Sequence, residues 1–221
     1  MNGFRAGVSV YGLVLGAASL WILLAGFSSP GIRGMPTSRV EAAVAAQRRP
    51  EALWAARVGG VRGDLWAQAA FTYANLEWLD SAQPLGEALD QARAVATRAV
   101  SLMPGNSDVW LMLADLSSRY RWQTPNPTEC LKMSYYTGPH EEALIPIRLM
   151  VAGRLDPSAD PVLADLFRRE LETVMMDRTA LRPAIVAAYE QATSQAQHLI
   201  EDVAARTDPA FSHSLRPELR N

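Results

Sequence analysis

The sequence predicts an all-α chain with one transmembrane helix at its front, and three observations carry that expectation. From Ser38 onward apolar residues recur at spacings of three and four, with little of the period-two alternation that strands need. Prolines and glycines mark several of the breaks between these stretches, at Pro50, Gly59-Gly60, Pro84 and Pro104-Gly105. Ahead of them, Gly7 to Phe27 is a run of 21 residues without a charge. At ~1.5 Å rise per residue such a helix is about 31 Å long, the hydrocarbon thickness of a bilayer.

Each element follows in chain order. Residues 1–6 form a short leader and 7–27 the transmembrane helix. Ala25-Gly26-Phe27 places a ring where a signal-peptide cleavage site wants a small residue, so the span is expected to be retained. No cysteine follows Leu24-Ala25-Gly26, which removes lipid attachment there. Gly12 and Gly16 make a G-x-x-x-G strip that Ser9 and Ser19 extend, the small-residue surface by which helices pack in a membrane. Residues 28–37, rich in Pro and Gly, read as a linker. Ser38 can cap a helix to about Gln47, and a short one runs from Glu51 to about Val58. Asp64 starts a helix over Leu65–Leu79, Gly86–Leu102 is the next, and Ser107 or Asp108 opens another carrying Trp110 and Leu113. Asp160 and Pro161 start a helix to about Met176, and the spacing predicts a long helix from about Ala180 to Arg206. These last two form a C-terminal helical hairpin, residues 156–206, followed by a loose tail over 207–221.

Charge and composition exclude several functions. With 21 Lys+Arg against 23 Asp+Glu the chain carries a net −2, so electrostatics does not take it to nucleic acid. An apolar fraction of 49% is enough for a core and excludes wholesale disorder. Cys130 is the single cysteine, and His140, His198 and His213 are too far apart for a histidine metal motif; no metal, cofactor or catalytic residue is expected. His140 beside Glu141 and Glu142 invites an acid–base reading, yet neighbours in a row point in different directions, and a helix entry accounts for them. Trp54, Trp66, Trp78 and Trp110 fall at helix-packing positions and are expected in the core.

Trp66-x-x-Ala69-Ala70-x-x-Tyr73, then Ala92, Ala99 and Pro104, resembles the tetratricopeptide repeat, whose first helix carries W-x-x-L-G-x-x-Y and whose second closes on a proline. Trp110-x-x-Leu113-Ala114 begins a second unit, and Pro139 closes it 35 residues after Pro104. The unit step from Trp66 to Trp110 is 44 residues, which places an insertion around Ser81–Gly86, and Ser117 stands where the second tyrosine belongs. Pro127 takes a place the family gives to alanine, and Pro146 interrupts the opening helix of a degenerate third unit. The resemblance spans residues 38–155 and implies a superhelical stack of helix pairs with a concave binding face, capped by the C-terminal hairpin. On that phasing the groove residues are Phe71 and Asn75, Asp115 and Arg119, and Arg154.

Together these features describe a non-enzymatic, membrane-anchored scaffold or adaptor. It would meet other membrane-complex subunits through the transmembrane helix and grip a protein or peptide in the groove. Twenty arginines against the single Lys132 fit a GC-rich bacterial genome, and a short leader before a single span places the domain on the periplasmic side of an inner membrane. Two alternatives stand beside it: a permanent accessory subunit of a polysaccharide-export or energy-transducing assembly, and a membrane-proximal hydrolase or transferase using His140, Glu141 and Glu142.

Overall fold

The structure, a computed structural model, describes residues 2–27, 29–76 and 85–215. All regular structure among them is helical, which bears out the all-α expectation. The chain divides into two compact units, Met1–Pro104 and Gly105–Asn221.

The first unit holds α1 (Asn2–Phe27), α2 (Arg39–Gln47), α3 (Arg49–Gly59), α4 (Gly63–Phe71) and α5 (Leu85–Leu102). Ser38 caps α2 by accepting from the Glu41 amide at 3.2 Å, while Glu41 reaches back to the Thr37 amide at 2.8 Å. This S-x-x-E exchange satisfies two donors that a helix start leaves bare. Pro50 lies in the first turn of α3, where its missing N–H costs nothing. The core between α3, α4 and α5 is made of small side chains, Ala52, Ala55, Ala56, Ala69, Ala92 and Ala96, filled out by Leu65 and Phe71. Alanine surfaces let helices approach closely. Gly63 is the tightest case, because a Cβ there would lie 2.7 Å from the Met103 Cβ.

The transmembrane reading is overturned. Among the described residues no helix is long and apolar enough to cross a membrane. The single-pass inner-membrane placement and its periplasmic domain rested on that span and are corrected with it. Gly12, Gly16 and Ser19 lie exposed on α1, with nothing within 4 Å of a Cβ built on either glycine. The side chain of Ser9 lies outside the described residues.

The helix expected over Leu65–Leu79 ends as α4 at Phe71 and gives way to turns. Tyr73, the last residue of the repeat-like motif, therefore stands beyond the helix. It is fully buried, with the Arg49 guanidinium 4.2 Å from its ring centre and its hydroxyl donating to Gln91 at 2.8 Å. Residues 77–79, Trp78 and most of the expected insertion lie outside the described residues. Trp54 is 51% exposed, and Trp66 and Trp110 are half-buried, so tryptophan is not the core former expected.

The second unit holds α6 (Ser107–Tyr120), α7 (Pro127–Thr137), α8 (Ile145–Leu155), α9 (Pro161–Met176), α10 (Arg182–Gln191), α11 (Ser194–Thr207) and α12 (Pro209–Leu215). Asn106 and Asn126 cap α6 and α7 with their side-chain oxygens. Pro127 and Pro146 fall in first turns, so Pro146 begins α8 instead of breaking it. Asp160 caps α9 at 2.9 Å from both the Val162 and Leu163 amides, and Pro161 opens that helix. The long helix expected from Ala180 to Arg206 is two helices, because Thr193 caps α11 and donates its own amide to the Gly153 carbonyl at 3.0 Å. Gly153 lets α8 and α10 touch there: a Cβ would lie 3.1 Å from that of Ala192. Helix α12 occupies part of the expected loose tail, and its Leu215 is fully buried.

Candidate functional site

Three of the five groove residues come together. Asp115 on α6 accepts from Arg119 one turn on and from Arg154 at the end of α8. The Arg119 Nε contact is 3.0 Å, and Asp115 is only 5% exposed, so this carboxylate already holds two cations within the fold. Phe71 is 2% exposed and packs in the first unit's core. Asn75 adopts φ +57° and donates its side-chain amide to the Pro36 carbonyl at 2.8 Å. All five serve internal contacts.

A second cluster, which the sequence reading missed, lies between α7, α8 and α9. Arg148 is 1% exposed. It donates to the Ser134 carbonyl at 2.6 Å, to the Gly138 carbonyl at 2.9 Å and to the Ser134 hydroxyl at 3.1 Å, so its charge is solvated by the end of α7. Its guanidinium also lies 5.0 Å from the Tyr135 ring centre and 4.0 Å from the Glu170 carboxylate. Tyr135 in turn donates its hydroxyl to Glu170 Oε2 at 2.6 Å. Burial pushes the Glu170 carboxyl up to about 7, against the pull of the Tyr135 hydrogen bond, Arg148 and Arg178. Burial likewise raises the Tyr135 phenol, with the neighbouring Glu170 charge acting in the same direction.

Over this cluster opens a cavity of about 350 Å³ lined by Tyr135, Pro139, Ile145, Leu166, Glu170 and Thr173, with His140, Arg169 and Arg178 also in its wall. Pro139, His140 and Arg169 are exposed and form its mouth. Volumes of this size are typical of small-molecule pockets. Here a buried carboxyl and the Arg178 guanidinium meet apolar walls, an arrangement that can bind a small molecule.

His140, Glu141 and Glu142 part company in the structure. His140 faces the cavity, Glu141 accepts from the Ser107 hydroxyl at 2.8 Å, and Glu142 lies 3.9 Å from Arg178. Glu141 also helps burial raise the Asp108 carboxyl, burial being the larger cause. Cys130 is buried, and that burial pushes its thiol up to about 12, which leaves it a thiol and a poor nucleophile. Among the described residues no group of acidic, histidine or cysteine side chains is placed to hold a metal ion.

A signal for the second cluster was present in the sequence. Glu170 falls at the phase of the Leu163, Phe167 and Val174 stripe, and Arg148 falls in the run Ile145–Val151, so both charges occupy inward positions. Charged groups in such places are retained when they are paired. Compared with known protein families, curated proteins and solved structures, the chain matches none.

Proposed function

We propose that this protein is a non-enzymatic helical scaffold, built of repeat-like helix pairs, that holds polypeptide partners. The observation that supports it is the surface of α1. Leu13 is 74% exposed, Val10 64%, Leu20 59% and Leu23 57%, while α1 packs within its unit chiefly on α3. Folded chains in water rarely leave a contiguous apolar surface of this extent bare, and one that persists marks an interaction site. Gly12 and Gly16 add a strip where a second helix can approach the backbone closely.

The groove residues give this reading less, since Asp115 already pairs with both Arg119 and Arg154. Partner contact is therefore assigned to α1. A photo-crosslinking residue placed at Leu13 or Leu20 in the full chain at native expression tests it. Discrete adducts with one or a few polypeptides are expected, and none from the same probe at Glu87, an exposed residue of α5. Absence of polypeptide adducts at both α1 positions would overturn the proposal.

A further inference from the structure

We propose that the cavity over Tyr135 and Glu170 binds a small organic monocarboxylate, with its carboxylate against Arg178 and His140 and its apolar body against Pro139, Ile145 and Leu166. This goes beyond the scaffold reading and does not depend on it.

Charge selects the ligand's sign. The wall offers the Arg178 guanidinium and the His140 imidazole against one carboxyl, Glu170, and the buried Arg148 stands 4.0 Å behind that carboxyl. An amine entering here would meet guanidiniums, whereas an anion meets cations in a partly desolvated site where such contacts are strong. Arg169 is engaged by Asp165 at 2.6 Å and is 72% exposed, so it stays outside the ligand's set. Arg178 lies 3.9 Å from Glu142, a 61% exposed carboxylate and so a weak partner that an incoming carboxylate can displace, and its charge also acts on Glu170.

Shape selects the rest. Leu166, Ile145 and Pro139 give apolar walls that a bare inorganic anion would leave unused, while a carboxylate carried on a ring or short alkyl chain fills them. At the floor, Glu170 faces Tyr135 from α7, Arg148 from α8 and Arg178 beyond α9, with His140 and Arg169 at the mouth. In its protonated form Glu170 can donate to a bound carboxylate, and in its ionised form it repels one. Because burial lifts this group to about 7, binding strengthens as pH falls from 8 to 6.

Calorimetric titration of the full chain with benzoate tests the site, with benzylamine and inorganic phosphate as counter-probes. Saturable one-site binding of benzoate is expected, at least tenfold weaker in Arg178→Gln and abolished in Leu166→Trp, whose indole plugs the cavity. Arg169→Gln should stay within twofold of the parent. Arg178 is partly exposed, so its variant folds and keeps the test valid if the tryptophan does not fit. No saturable heat with benzoate would overturn the proposal. So would equal affinity for benzylamine or phosphate, or undiminished benzoate binding in Arg178→Gln.

Discussion

Gly138 shows how narrowly single residues constrain the second unit. A Cβ at this position would stand 2.6 Å from the Ser107 Cβ and 2.7 Å from its hydroxyl, and neither is the far end of a flexible chain. Gly138→Ala should therefore cost about 1–3 kcal/mol, the range for overpacking, whereas Gly105→Ala, with nothing within 4 Å, should be close to neutral. Urea denaturation of the two variants separates them. Glu170 makes the complementary point through pH. Its folded value of about 7 lies above the ordinary 4.5, so the fold binds the neutral form more tightly. That contribution is fully present below about 4.5 and is lost as pH rises through 7. Wild type should lose about 2–3 kcal/mol between pH 5 and 8 through this group, by the free energy of each pKa unit, and Glu170→Gln should lose little of it. Parallel slopes for the two proteins would show that the buried carboxyl does not titrate there. Residue-scale chemistry was only half legible in the sequence. The phases of Arg148 and Glu170 mark them as inward, but nothing in a linear pattern says that Tyr135 lies between them, since that depends on the packing of α7 against α9.

Helix ends were the most legible feature, because capping is local. Ser38, Asp160 and Pro161 each do in space what their spacing implies, and α9 runs Pro161–Met176 as the pattern requires. Misreadings arose where a local signal competes with a longer period. Thr193 lies inside an apolar repeat of three and four, yet its bond to the Ala196 amide and its amide's bond to Gly153 outweigh one more turn of helix, and the predicted long helix breaks. The repeat phasing puts Pro146 inside the opening helix of a third unit, whereas the helix starts there, and a first turn tolerates proline as readily as a loop does. Asp160 carries two duties, capping α9 and pairing with Lys132 at 2.9 Å. Its carboxyl is held low, first by the Leu163 amide and then by Lys132. Asp160→Ala should then destabilise by about 0.5–2 kcal/mol, the usual worth of a helix cap. Asp160→Asn keeps an acceptor for the amides while losing the ion pair, and should recover most of that loss. Thermal melts at neutral pH compare the two, and equal losses would place the stabilisation in the Lys132 pair instead of the cap.

Across the whole chain, apolar surface is distributed unevenly, and this predicts behaviour in solution. Beyond α1, most large apolar side chains are inside: Leu65, Leu111, Leu149, Phe167, Leu171 and Ile185 are all at most 1% exposed. On α1 the order is reversed, with Tyr11, Leu13, Val14, Ile22 and Leu24 each more than half exposed. The hydrophobic effect scales with area removed from water, so any two copies of the full chain gain by covering these surfaces with each other. A net charge of −2 gives little repulsion to prevent it. Light scattering should therefore find the full chain self-associated in plain buffer and a chain of residues 28–221 monodisperse at the mass of one copy. Helix content beyond α1 should survive the truncation. What α1 gives its own unit is narrow: the Trp21 ring lies 3.8 Å from where a Cβ on Gly60 would stand. The Ser29 contact with Gln68, at 2.6 Å, lies past the cut and is kept. A monodisperse full chain would mean that α1 folds back and hides its apolar face, and the α1 partner reading would then fail at its premise. An aggregated 28–221 chain would instead place the sticky surface elsewhere, with the exposed Trp54, Val40 and Val61 as the first residues to replace.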